Sequence, residues 1–224
     1  TLLVGDLTPG PVGQVNTGLG LGDGIDCPVI PITSANVTTQ QNYIDGVQNN
    51  ANCFAFNELI PEGFTPNFGG NITDTSFTIG TKGEFKGGFA DGVLYDLSGS
   101  VGRNESQYVI YNTLNASLGP NTPRDFKPGK YIQLEKNFNF DLVKLVDMGL
   151  NDLVNVAGGL EWHEESYEVI AGDVASYTAG PLTSQGFGIG SNGFPGFKPN
   201  DAGVSTRRNY AAYVDVEAQV TEAL

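Results

Sequence analysis

YIQLEKNFNFDLVKLV, residues 131–146, alternates along most of its length. Ile132, Leu134, Phe138, Phe140 and Leu142 fall on one side, and Gln133, Glu135, Asn137, Asn139 and Asp141 on the other. A period of two is the period of a β-strand, whose successive side chains point to opposite faces. From Gln133 to Asp141 the polar side reads Gln, Glu, Asn, Asn, Asp in succession, as in a strand facing a water-filled interior. Lys136 and Lys144 interrupt the apolar side, eight residues apart. At ~3.3 Å per residue and a tilt near 40°, that separation is about 20 Å of height, close to the ~25 Å apolar band of a transmembrane barrel. Lysines at the two edges of such a band reach water along their own stems and cost roughly 0–1 kcal/mol, against roughly 2–4 at its middle.

The same period recurs on either side. "SFTIGTKGEF" puts Phe77, Ile79 and Phe85 on one face, and "VLYDLSGSVGR" does the same with Val93, Tyr95, Leu97 and Val101. "LVNVAGGLEWHEESYEV" sets Val154, Val156, Leu160 and Trp162 against Asn155, Glu161 and His163. "NYAAYVDVEAQV" sets Tyr210, Val214, Val216 and Val220 against Tyr213, Asp215 and Glu217. Five strands are therefore predicted, at about 76–86, 93–110, 131–146, 153–169 and 208–220. Their connections alternate in length. Those at 86–92 and 147–152 are short, whereas 112–129 and 171–206 are long, as is the segment 1–73 before the first strand. In an up-and-down meander this gathers the short turns at one end and the long loops at the other, the asymmetry of an outer-membrane barrel. Phe85 and Tyr95 near the short turns, and Trp162 and Tyr210 near the long loops, suit aromatic girdles. The predicted fold is all-β: an antiparallel meander of long strands forming part of a transmembrane β-barrel, with residues 1–73 a long extracellular loop. A soluble β-sandwich, secreted and binding glycans or adhering to surfaces, also alternates and is the rival reading.

Composition agrees with a turn-rich β-protein. The 224 residues include 31 Gly, 12 Pro, 13 Phe and 9 Tyr, but only 16% are charged. The net charge of −14 excludes nucleic-acid binding through a basic patch. No apolar run approaches the ~20 residues of a membrane-spanning helix. The chain begins at "TLLVGDLTPG" without Met or signal peptide and reads as an internal piece of a longer protein. Its two cysteines, Cys27 and Cys53, are a candidate disulfide closing a loop of about 25 residues, worth roughly 3–4 kcal/mol in the chain-entropy model.

Several stretches resemble the barrel of TonB-dependent outer-membrane receptors: "FNELIPEGFTPNFGGNITD" (56–74), "YNTLNASLGPNTPRDFKPGKYIQLEKNFNFDL" (111–142), "AGGLEWHEESYEV" (157–169), "SQGFGIGSNGFPGFKPNDAG" (184–203) and "RRNYAAYVDVEAQVTE" (207–222). The resemblance covers residues 54–224. It implies a barrel of about 22 strands with a plugged lumen in the bacterial outer membrane. It also implies import of a scarce small-molecule ligand (an iron chelate, cobalamin or a glycan) on energy passed on by TonB. No plug domain and no TonB-contacting box is recognisable here, so TonB would be reached only through a plug that this segment lacks.

Under that reading the polar residues Glu135, Asn137, Asn139, Asp141, Glu161, His163, Asp215 and Glu217 line the passage. Phe187, Phe194 and Phe197, on a Gly-rich loop, either touch ligand or pack the loop onto its neighbours. "EWHEESYEV" (161–169) holds the single Trp and the single His of the chain. Glu161, His163 and Glu165 share a face but lack a second His, so no metal site is assigned. The glycines of "GFGIGSNGFPGF" (186–197) neither follow a strand nor open a helix, which excludes a phosphate cradle. "GLGDGID" (20–26) lacks the ordered ligand spacing of a calcium loop. With no catalytic set and no cofactor motif, the expected protein is not an enzyme. Four sequons, at 36–38, 71–73, 104–106 and 115–117, are expected to arise by chance in a chain rich in Asn and Thr.

Overall fold

The computed structural model describes residues 4–7, 34–35, 38–39, 41, 45, 47 and 49–220. Among these residues seven strands carry the fold: β1 (Val4–Asp6), β2 (Cys53–Ala55), β3 (Asn67–Glu84), β4 (Val93–Tyr111), β5 (Phe126–Val146), β6 (Val154–Ala171) and β7 (Gly203–Glu217). A short α-helix, α1 (Val174–Tyr177), follows β6. The long strands form one antiparallel five-stranded meander, in the order β3-β4-β5-β6-β7, and the sheet is open. β1 and β2 form a separate antiparallel pair.

The five strands of the meander run from 15 to 21 residues, well beyond the 5–6 residues common in globular proteins. β3, β5 and β7 start before the sequence pattern does, at Asn67, Phe126 and Gly203. The added residues, "NFGGNITDT", "FKPGK" and "GVSTR", lack apolar alternation. Ladder hydrogen bonds need no apolar face, so pairing continues where the hydrophobic signal has ended. β7 ends at Glu217, short of the expected 220.

The chain divides into two compact units. One comprises 72–106, 131–169 and 203–224, and holds the alternating part of the meander with both short turns. Its faces are segregated. On one side Ile79, Leu97 and Phe138 line a shallow groove. Lys136, on the same side of β5 as Phe138, bonds Glu164 of β6. The β6–β7 register then sets Trp162 beside Tyr210, Leu160 beside Ala212, Gly158 beside Val214 and Val156 beside Val216. This apolar side is exposed: Ile79 66%, Leu160 59%, Tyr210 77% and Val214 81%. Large apolar side chains thus stand uncovered on this side of the sheet.

The other unit comprises 1–71, 107–130 and 170–202, and holds the long connections. Residues 1–73 are thus not one featureless loop: they supply β1, β2, a 3-10 turn (Phe56–Glu58) and the start of β3. The Gln185 side chain clamps β1, accepting from Asp6 N at 2.8 Å and donating to Asp6 O at 2.7 Å. Phe54, Ile60, Ile110, Leu114, Phe126 and Leu182 are buried in this unit. Cys53 is disulfide-bonded; Cys27 lies outside the described residues.

Asn115 fixes the two long loops to each other. It is fully buried. Its Nδ2 donates to the carbonyls of Ala175 (2.8 Å) and Thr178 (2.9 Å), and its Oδ1 accepts from Ser117 Oγ (2.7 Å) and Ser117 N (3.2 Å). The sequon at 115–117 is therefore a structural motif here, with no free amide for a glycan. Gly180 completes the seam, because a Cβ there would stand 2.1 Å from Ser117 O.

Candidate functional site

The polar side of the meander brings together the residues expected to line a passage. Asp141 accepts a hydrogen bond from the Tyr213 hydroxyl at 2.8 Å, across β6. Glu135 accepts from Gln133 Nε2 at 2.7 Å. Glu217 stands opposite Asn155 and accepts from its Nδ2 at 3.2 Å, Asp215 stands opposite Ala157, and Glu161 opposite Ala211. Asn139 shares the side of Glu135 and Asp141 by strand alternation. The Asn137 Oδ1 atom is buried with no partner, a polar group in want of a donor. Asp74, Ser76, Asn104, Gln133 and Glu135 line a groove of about 350 Å³, with Asn104 Nδ2 bonded to Asp74 at 2.6 Å.

His163 is held within this surface. Its Nε2 lies 3.3 Å from Glu165 Oε1, and Glu165 also accepts from Arg207 at 2.6 Å. Glu165 is thus occupied by a guanidinium. Among the described residues no group of three His, Cys, Asp or Glu side chains is placed to hold a metal ion.

On the opposite, apolar side an ion cluster stands where the sequence shows only an isolated lysine. Lys136 Nζ is 2.8 Å from Glu164 Oε1, and Arg208 Nε is 2.6 Å from Glu164 Oε2. Glu164 is buried, whereas both cations stay partly exposed. A signal for this was present. "EE" at 164–165 and "RR" at 207–208 lie on neighbouring strands, and antiparallel pairing matches Glu164 with Arg208 and Glu165 with Arg207, one pair per face.

The three loop phenylalanines do not stand together. Phe187 packs on Phe56 at 5.5 Å, and Phe56 on Phe54 at 4.9 Å. Phe194 and Phe197 meet at 5.7 Å and join Phe68 and Tyr108. Phe68 stacks on Tyr108 at 5.4 Å and lies 5.2 Å from Phe194, while Tyr108 lies 5.5 Å from Phe194. Phe68 and Tyr108 were not singled out as site residues in the sequence, because both sit near strand ends where alternation has faded. Compared with models of protein families, with curated proteins and with solved structures, the chain has no match.

Proposed function

We propose that the chain is a segment of a transmembrane β-barrel in the bacterial outer membrane, part of a TonB-dependent receptor that imports a scarce small molecule. The observation that carries this reading is the segregation of the long-stranded sheet into an exposed apolar side and a side on which polar residues predominate, with Leu94 and Val143 among its apolar exceptions. A lipid phase would cover the first at no desolvation cost, and a water-filled or plugged lumen would solvate the second. The Lys136–Glu164–Arg208 cluster supports the same reading, since charges facing lipid are retained where they are paired and near an interface. Both sheet edges, β3 and β7, would be closed by further strands, as a barrel requires. The polar residues from Glu135 to Glu217 would then border the passage, and the loop unit would recruit ligand outside. A soluble sandwich would instead need a second sheet over Ile79, Phe138, Leu160 and Val214.

Uptake by intact cells tests the function. Labelled ferric chelates, cobalamin and neutral oligosaccharides are offered to wild-type cells, to cells lacking the gene and to cells lacking TonB. Accumulation of one of the three that needs both gene and TonB is expected. Recovery of the protein in the soluble fraction, or uptake of all three unchanged by the deletion, would overturn the proposal.

A further inference from the structure

The ion cluster on the apolar side of the meander carries more positive charge than negative. Glu164 of β6 is buried, and both its carboxylate oxygens are taken, Oε1 by Lys136 Nζ at 2.8 Å and Oε2 by Arg208 Nε at 2.6 Å. Two cations share one carboxylate, so one positive charge is left over. The side chains of Lys136 and Arg208 remain 45% and 62% exposed. Among the described residues each spends one donor on Glu164, out of three N–H groups on an ammonium and five on a guanidinium. The other carboxylates on this side do not cancel the excess. On β4 Glu105 is paired with Arg103 at 2.5 Å. Glu168 stands four residues further along β6, opposite Val204 and about 13 Å away.

An apolar groove begins beside the cluster. Phe138 lies two residues from Lys136 on the same side of β5, about 7 Å along the strand. With Ile79, Leu97 and Gly99 it lines a groove of about 370 Å³. A Cβ at Gly99 would meet no atom closer than 3.7 Å, so no close contact demands glycine there, and its bare backbone keeps the groove open. On the other flank Trp162, two residues from Glu164, pairs with Tyr210, two residues from Arg208. Such rings settle at headgroup level in a bilayer. An occupant that satisfies both halves carries an anionic head and an extended apolar chain. A lipid with a net negative phosphate headgroup has both. Its phosphate oxygens can accept charge-assisted hydrogen bonds from the unused donors of Lys136 and Arg208, while a chain covers Ile79 and Phe138. A zwitterionic lipid would bring its own cation against the cluster, and a free phosphate would leave the groove uncovered.

We infer that Lys136 and Arg208, bridged by Glu164, hold the headgroup phosphate of an anionic membrane lipid, with one acyl chain of that lipid seated in the groove between Ile79, Leu97 and Phe138 that Gly99 opens. The inference rests on the membrane reading, because it takes the apolar side to face lipid, and goes beyond it by giving that side one preferred class of lipid.

Native mass spectrometry tests it, with the full protein stripped of lipid in detergent and titrated with dioleoyl phosphatidylglycerol or dioleoyl phosphatidylcholine. The two probes share their chains and differ in headgroup charge. Phosphatidylglycerol is expected to bind about 5-fold more tightly, the worth of one cation near a membrane surface. Lys136→Gln leaves the Arg208–Glu164 pair in place and should bring the two lipids level, whereas Lys136→Arg should keep the preference. Gly99→Leu fills the groove without touching the ion cluster and should weaken phosphatidylglycerol binding about 10-fold, the loss of roughly two buried methylenes. Excess glycerol phosphate, a head without a chain, should not displace the lipid. Equal affinity of the parent for both lipids, a preference that survives Lys136→Gln, unchanged binding in Gly99→Leu, or displacement by glycerol phosphate would each overturn the inference. Lipid-phase labelling of cysteines on β7 reads the membrane orientation itself, so the two can fail separately.

Discussion

Leu160→Arg separates a lipid-facing sheet from a soluble one by the size of its effect. Leu160 pairs with Ala212 and is 59% exposed. It lies four residues from Glu164, whose ion cluster would mark one edge of the apolar band. At ~3.3 Å per residue and a tilt near 40°, Leu160 is about 10 Å below that edge, near the middle of a ~25 Å band. An arginine there is expected to destabilise the folded protein by roughly 2–4 kcal/mol. Val156, on the same side of β6 but about 20 Å below the edge, lies close to the other interface, where Val156→Arg should cost roughly 0–1 kcal/mol. On a soluble sheet, replacing a side chain as exposed as Leu160 changes stability by no more than about 0.5 kcal/mol. Guanidinium unfolding in phosphatidylcholine vesicles, read as the difference between the two variants, supplies the assay. A Leu160→Arg protein as stable as its parent would refute the depth argument.

Two further outcomes concern the loop unit. Asn115→Ala leaves the part-buried carbonyls of Ala175 and Thr178 without their donor and should cost about 1–3 kcal/mol; hydrogen exchange across 112–125 and 172–192 is expected to quicken, and unchanged exchange would contradict the hub. Gly180→Ala drives a methyl group to 2.1 Å from Ser117 O and should open the same seam to protease, whereas Gly188→Ala, which meets nothing within 4 Å, should not.

The meander was legible because its central residues repeat with a period that only a strand gives. Phe138, Phe140 and Leu142 against Asn137, Asn139 and Asp141 state the period and the two faces together. The strand extensions were not legible. In "NFGGNITDT" and "FKPGK" both sides are polar or interrupted, and backbone pairing leaves no mark on side-chain pattern. The polar residues of the candidate passage came from the same alternation, so their shared face needed no structure to foresee. Their partners did need it: Tyr213 reaches Asp141 over 72 positions of sequence. Phe194 and Phe197 were visible as loop aromatics, yet their association with Phe68 and Tyr108 depends on how three distant segments fold together.

The membrane reading is tested most directly by two adjacent positions on one edge strand. Val214, 81% exposed, faces the apolar side, and Asp215 faces the polar side. Single cysteines, Val214→Cys and Asp215→Cys, are placed in the protein in native outer membranes and treated with a lipid-phase maleimide and with a charged, water-soluble one. Modification of position 214 by the lipid-phase reagent alone, with no lipid-phase labelling at 215, is the expected result. Free reaction of position 214 with the water-soluble reagent would contradict a lipid-facing sheet.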